Sequence, residues 1–206
     1  MQHPPLTRRA HRPSSGQPFL GALSLARGRV HELIGPARHT LAMMIAGAMQ
    51  GPVFWVSPDW APAQPYGPGM VSFLDPGRVT FVRADRAEDI LWTLEEVLRA
   101  GIVPLMVGDL PGPPGLTPVR RMHLAGEAGG KRGDGRALGL ILTPEGAAQG
   151  VESRWQMAPD HAPGVTRWRL NRLRDRQEPP RDWQVLPKDG GFAVAPPPSG
   201  ARGRAG

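Results

Sequence analysis

The chain of 206 residues contains no cysteine, which excludes disulfides, thiolate zinc sites and a cysteine nucleophile together. Only two of its twenty-five cationic side chains are lysines. An arginine bias of that kind suits bidentate phosphate contacts, although a GC-rich coding sequence produces the same bias. Long apolar runs are also missing. The longest, Leu41 to Met49, is less than half a membrane span, and the N-terminus has no apolar core of the signal-peptide kind. A soluble, cytoplasmic chain with no membrane contact is the expectation.

Other chemistries lack their residues. The six histidines, His3, His11, His31, His39, His123 and His161, show no metal-binding helical spacing, and no acid joins them in a zinc pattern. No serine lies in a G-x-S-x-G elbow, so hydrolase chemistry has no support. No metal and no catalytic residue is expected.

What is abundant is glycine and proline, 27 and 25 residues, about a quarter of the chain and a level at which disordered segments become common. They gather at the ends and in loops, and the length fits one domain with irregular ends. Net charge is +7, unevenly spread. Residues 1–29 carry +5 and no acid, residues 30–153 carry −3, and residues 154–181 carry +4. A mildly acidic middle therefore lies between basic flanks.

Residues 1–18 have no period and are expected to be disordered. The run from Arg29 to Ile34 reads as a buried strand, followed by a Gly-Pro turn and an apolar helix from Thr40 to Gln50. Further apolar strands are expected at 52–56, 79–82, 104–109 and 138–143, with a short helix near Gly69 to Leu74 and another from Leu116 to Ala128. The clearest helix runs from about Arg86 to Ala100 and is ended by Gly101, with Asp85 as its cap and Glu88 in the capping-box position. Short continuous apolar strands alternating with helices predict an α/β fold, a mostly parallel sheet covered on both faces. After that the pattern alternates at 154–157, 166–170 and 183–185, predicting antiparallel strands; after Pro187 the composition predicts disorder.

The turn Gly35-Pro36-Ala37-Arg38-His39-Thr40 has the layout of a phosphate-binding loop without its lysine. Its hydroxyl, Thr40, arrives at the sixth position instead of the eighth, too early for the loop to wrap a triphosphate. A helix N-terminus still attracts anions, and Arg38 could assist. Asp109 ends an apolar strand where a metal-holding acid would sit, but beside Pro111 it also fits ordinary turn chemistry. In the alternating strands, Trp155, Met157, Trp168 and Leu170 are expected on one face and Arg154, Arg167 and Arg169 on the other. With Arg172 and Arg174 they form a candidate nucleic-acid surface, against the alternative of a solvated edge.

The order of these pieces resembles the RecA fold, and more closely the ImuA family, RecA-like accessory proteins of bacterial damage-induced mutagenesis related to SulA-type division inhibitors. The resemblance rests on Leu91-Trp92 with Glu95 to Arg99, on Leu116-Thr117 with Arg120 to Ala125, and on Thr166 to Leu170 with Arg172 and Arg174. It implies a RecA-like domain over residues 19–186 between a disordered basic segment, 1–18, and a disordered tail, 187–206. It also implies a non-catalytic, cofactor-free, nucleoid-associated protein of the SOS response and translesion synthesis. The implied partners are an ImuB-like Y-family protein and an error-prone DnaE-type polymerase, with RecA and DNA as further candidates. Where recombinases carry a water-activating glutamate this chain has Pro58, and where they carry a DNA-binding loop it has Thr143 to Val151, uncharged except for Glu145. The loop residues Gly35, Pro36, Arg38 and Thr40 with Asp109 then form a vestigial nucleotide site. Two rivals stand beside this reading: a divergent DNA-repair ATPase using Arg38, Thr40 and Asp109, and a SulA-like inhibitor of cell division.

Overall fold

The computed structural model describes residues 16–61, 65–131 and 137–197. Its centre is a sheet whose strands are, in chain order, β3 (Val30–Ile34), β4 (Val53–Pro58), β5 (Val79–Ala84), β6 (Leu105–Asp109), β7 (Leu138–Leu142), β8 (Ser153–Pro159), β9 (Trp168–Asp175), β10 (Arg181–Lys188) and β11 (Gly191–Ala195). A small separate hairpin, β1 (Gln17–Phe19) with β2 (Leu23–Leu25), precedes them. Spatial order across the nine strands is β11-β10-β9-β8-β3-β7-β6-β4-β5. Pairing is parallel from β8 to β5 and antiparallel from β8 to β11. This is the mixed α/β architecture that the two sequence patterns predict.

The parallel strands β3, β6 and β7 are buried at every position, as their continuous apolar runs require. Side chains alternate between two cores. Leu33, Trp55, Leu105, Val107, Leu138 and Leu140 pack with helix α1 (Arg38–Gly47) on one face. Val30, Val56, Met106 and Ile141 pack on the other face with α3 (Ala87–Ala100) and α4 (Leu116–Gly129). A short helix, α2 (Gly67–Met70), buries Met70 in the α1 core and starts two residues earlier than the sequence suggests. Helix α3 is held by Ile90, Leu94 and Leu98, spaced one turn apart, all within 1% of full burial. It ends at Gly101, φ +72, whose amide donates to Val97 O at 3.2 Å; a Cβ there would stand 2.4 Å from Gly129 O. Its N-cap is Arg86, with no side-chain cap bond, so the expected Asp85 capping box does not form.

Two expected boundaries are corrected. Pro187 does not begin a disordered tail. Strand β10 continues to Lys188, and Asp189-Gly190, with Gly190 at φ +77, turns the chain into β11. An Asp-Gly pair is a hairpin signal strong enough to outweigh the surrounding composition. Phe192 completes the pairing by stacking on Phe73 at 5.2 Å and meeting Trp168 edge-on at 5.7 Å. At the other end, Gln17 and Pro18, expected within the disordered segment, belong to β1, and Phe19 meets Trp155 edge-on at 5.4 Å. The remaining residues of the two expected disordered segments, 1–15 and 198–206, lie outside the described residues, as does most of the Gly loop at 132–136. Among the described residues no helix is long and apolar enough to cross a membrane.

Candidate functional site

The loop from Gly35 to Thr40 sits at the carboxyl end of β3, where the chain enters α1. Gly35 takes φ +90, and a Cβ on it would stand 2.6 Å from Met157 O on β8. The same carbonyl accepts from Ala37 N at 3.0 Å, while Gly35 O accepts from Arg38 N at 3.1 Å and from Arg38 Nη1 at 3.3 Å. A phosphate cradle works by leaving such amides free to point at the anion. Here the amides of Ala37 and Arg38 both bond to the protein itself.

The remaining loop residues are also engaged or peripheral. Pro36 is exposed and Thr40 half-buried. Asp109, at the end of β6, accepts from His39 Nε2 at 2.7 Å, and the imidazole stacks over Trp55 at 6.2 Å with ring planes 12° apart. His39 immediately precedes the hydroxyl residue, the place a phosphate-binding lysine takes in a complete loop. The acid that would hold a metal therefore holds α1 instead. Pro58, at the end of β4, is buried and paired with Ala84, and it has no group to activate water. Among the described residues no three His, Asp or Glu side chains converge as metal ligands.

Glu32 is a feature that the sequence reading passed over. Its carboxylate is fully buried in β3 and accepts from Thr143 Oγ1 at 2.7 Å, Ala148 N at 3.1 Å and Arg154 Nε at 2.5 Å. Arg154 Nη2 also donates to Ala148 O at 2.8 Å. The stretch from Thr143 to Val151 is thus folded onto the core, with Ala148 and Val151 buried. The signal was visible: one acid inside an apolar strand must find partners, and a buried carboxylate demands a cation.

A second buried network crosses from β3 to β8. Trp155 Nε1 donates to Ser153 Oγ at 2.7 Å, and Ser153 stands 2.6 Å from His31 Nδ1. His31 Nε2 is 3.0 Å from Ala26 O, which can only accept. That fixes the tautomer: Nε2 carries the proton and Nδ1 accepts from the serine. Burial pushes His31 down to about 4, against weaker opposing effects from the Ala26 bond and Asp175. A serine beside a neutral histidine has the composition of a nucleophile and base, yet Ser153 is 0% exposed and its oxygen already accepts from Trp155. The pair is internal scaffolding.

The five arginines expected to share one surface divide. Arg169 and Arg174 are exposed on the sheet face opposite the tryptophans. Arg167 is half-exposed and clasped by Asp160, with 2.9 Å between Nε and Oδ2 and 2.7 Å to the backbone oxygen. Arg154 lies on the expected face, but the folded-down loop covers that face and Glu32 takes the guanidinium. Arg172 is on the wrong face for a nucleic-acid surface. Two residues beyond Leu170, it points with Trp168 into the aromatic core, 5.6 Å from the Trp155 ring and 5.3 Å from that of Trp183, and donates to Pro179 O at 3.1 Å.

No protein-family model and no curated protein matches the chain.

Proposed function

We propose that the chain is a RecA-like, non-catalytic accessory protein of SOS-regulated, damage-induced translesion DNA synthesis, built on a fold whose nucleotide site has closed. Its partners in this reading are an ImuB-like Y-family protein and an error-prone DnaE-type polymerase. RecA and DNA are further partners, and the protein associates with the nucleoid. The single observation that carries the non-catalytic part is the loop itself. The Ala37 and Arg38 amides bond to Met157 O and Gly35 O, and His39 holds Asp109. Phosphoryl transfer needs a phosphate grip, a metal holder and a water-positioning group, and each of those places is occupied or replaced. The link to mutagenesis rests on the resemblance of the motifs in α3, α4 and β9 to the ImuA family.

Two measurements test the two halves. Calorimetric titration with ATP and magnesium gives no binding heat at millimolar nucleotide; saturable binding overturns the closed-site reading. Deletion of the gene abolishes damage-induced mutagenesis in the parent bacterium. A deletion strain with normal induced mutation frequency overturns the assignment to translesion synthesis, whatever the ATP result.

A further inference from the structure

Helix α3 shows the solvent a side chain that globular chains seldom leave bare. Trp92 is 61% exposed. With Leu91 and with Pro118 of α4 it walls a mainly apolar cavity of about 340 Å³ between the two helices. The rim is acidic. Glu95 is bonded by Arg99 and, at 2.8 Å, by Arg121, and Arg99 also pairs with Glu96, so these two acids and two arginines cancel. Glu88 and Asp89, both exposed, have no ion-pair partner among the described residues. Acids in a first helical turn are favoured by the helix dipole, which accounts for their presence there. The dipole does not account for an exposed indole beside an open apolar cavity.

The charge sign selects the occupant. The chain carries +7, concentrated in residues 1–29 at +5 and 154–181 at +4, and those flanks favour anionic partners. The α3–α4 face does the reverse: two unpaired carboxylates repel nucleic acid and anionic lipid, while the cavity beside them asks for an apolar side chain. An exposed tryptophan beside a pocket, with the uncompensated charge at its edge of one sign, is the anatomy of a hot spot with a steering rim. We propose that this face docks a basic amphipathic segment of a protein partner. One apolar side chain of that segment fills the Leu91–Trp92–Pro118 cavity, and its Lys or Arg residues meet Glu88 and Asp89. The inference holds whichever pathway the protein serves, so it stands or falls separately from the translesion reading.

The probe is a pair of synthetic amphipathic peptides of 18 residues, one of Leu and Lys and one of Leu and Glu, titrated calorimetrically into the full chain. Net charge alone favours the Leu/Glu peptide. Docking at α3–α4 requires that the Leu/Lys peptide bind with one-site stoichiometry. It also requires that Trp92→Ala and the pair Glu88→Lys with Asp89→Lys each weaken binding at least tenfold, with unchanged circular dichroism. Affinity of the Leu/Lys peptide unaltered in both variants overturns the proposal. So does a self-association in sedimentation that Trp92→Ala removes, since a second copy would then be the occupant.

Discussion

Acid should loosen this protein through its buried imidazoles, and for His31 the amount can be worked out. His31 ordinarily titrates near 6.5, and in the folded chain burial pushes it down to about 4. Between those values the unfolded chain binds a proton at His31 that the folded chain refuses. Stability therefore falls as pH falls from about 6.5 to about 4, and below that this group contributes nothing further. At 1.36 kcal/mol for each pH unit, the window amounts to about 3 kcal/mol. That is a large fraction of the 5–15 kcal/mol typical of a folded domain. No solvent screening reduces it, since His31 is 1% exposed and both ring nitrogens are bonded.

The informative comparison is with His31→Gln, whose carboxamide can donate toward Ala26 O and accept from Ser153 without titrating. Urea unfolding followed by tryptophan fluorescence at pH 7.5 and 4.5 gives the loss for each protein. Carboxylates, and His123, which burial and the Arg29 charge also push down to about 4, titrate in both proteins and cancel in the difference. The unsubstituted chain should lose about 2.5 kcal/mol more than the variant over this range, which covers two of the pH units in the window. Parallel losses, within about 0.5 kcal/mol, would mean that the imidazole is not sealed in its network and would refute the reasoning.

Three further outcomes follow from the site. Glu32→Ala strands the Arg154 guanidinium and removes the acceptor for Thr143 and Ala148, so a loss of about 3–5 kcal/mol is expected in urea unfolding; a loss under about 1 kcal/mol would show the ion pair to be idle. Gly35→Ala forces a Cβ to within 2.6 Å of Met157 O at φ +90 and should cost roughly 1–3 kcal/mol, whereas thermal unfolding unchanged by it would show that the loop relaxes freely. Arg169→Glu with Arg174→Glu should weaken single-stranded DNA binding and flatten its dependence on salt by about two counterions, as fluorescence anisotropy at several ionic strengths would report; an unchanged slope would make these arginines a solvated face.

The parallel half of the fold was legible because burial on both faces leaves a plain mark, an unbroken apolar run such as Leu138 to Leu142. The pieces missed are those whose order comes from somewhere other than their own composition. Three-residue strands such as Gln17–Phe19 and Leu23–Leu25 are too short for a period, and what orders them is Phe19 against Trp155. Gly191–Ala195 is a strand because Asp189-Gly190 turns it back on β10 and Phe192 finds Phe73. In each case an aromatic contact distant in sequence overrides a local composition that reads as loop.

The functional side chains were harder to read, for a geometric reason. Alternation assigns a residue to one of two faces, but it does not say which face is covered. Arg154 and Arg169 share a face, yet Thr143 to Val151 folds over the first and leaves the second in water. Arg172 differs, because its parity with Trp168 and Leu170 already placed it among the tryptophans. The loop holds the same lesson in reverse. A missing lysine and a shortened spacing leave no phosphate grip of the usual loop kind, but they do not show what stands in its place. The replacement is His39, one residue before Thr40, bonded to the acid that a metal would need. Placing a lysine there, as His39→Lys, would therefore leave the Ala37 and Arg38 amides turned inward, and no ATP binding is expected. ATP binding produced by that single change would show that the loop is open in all but one side chain.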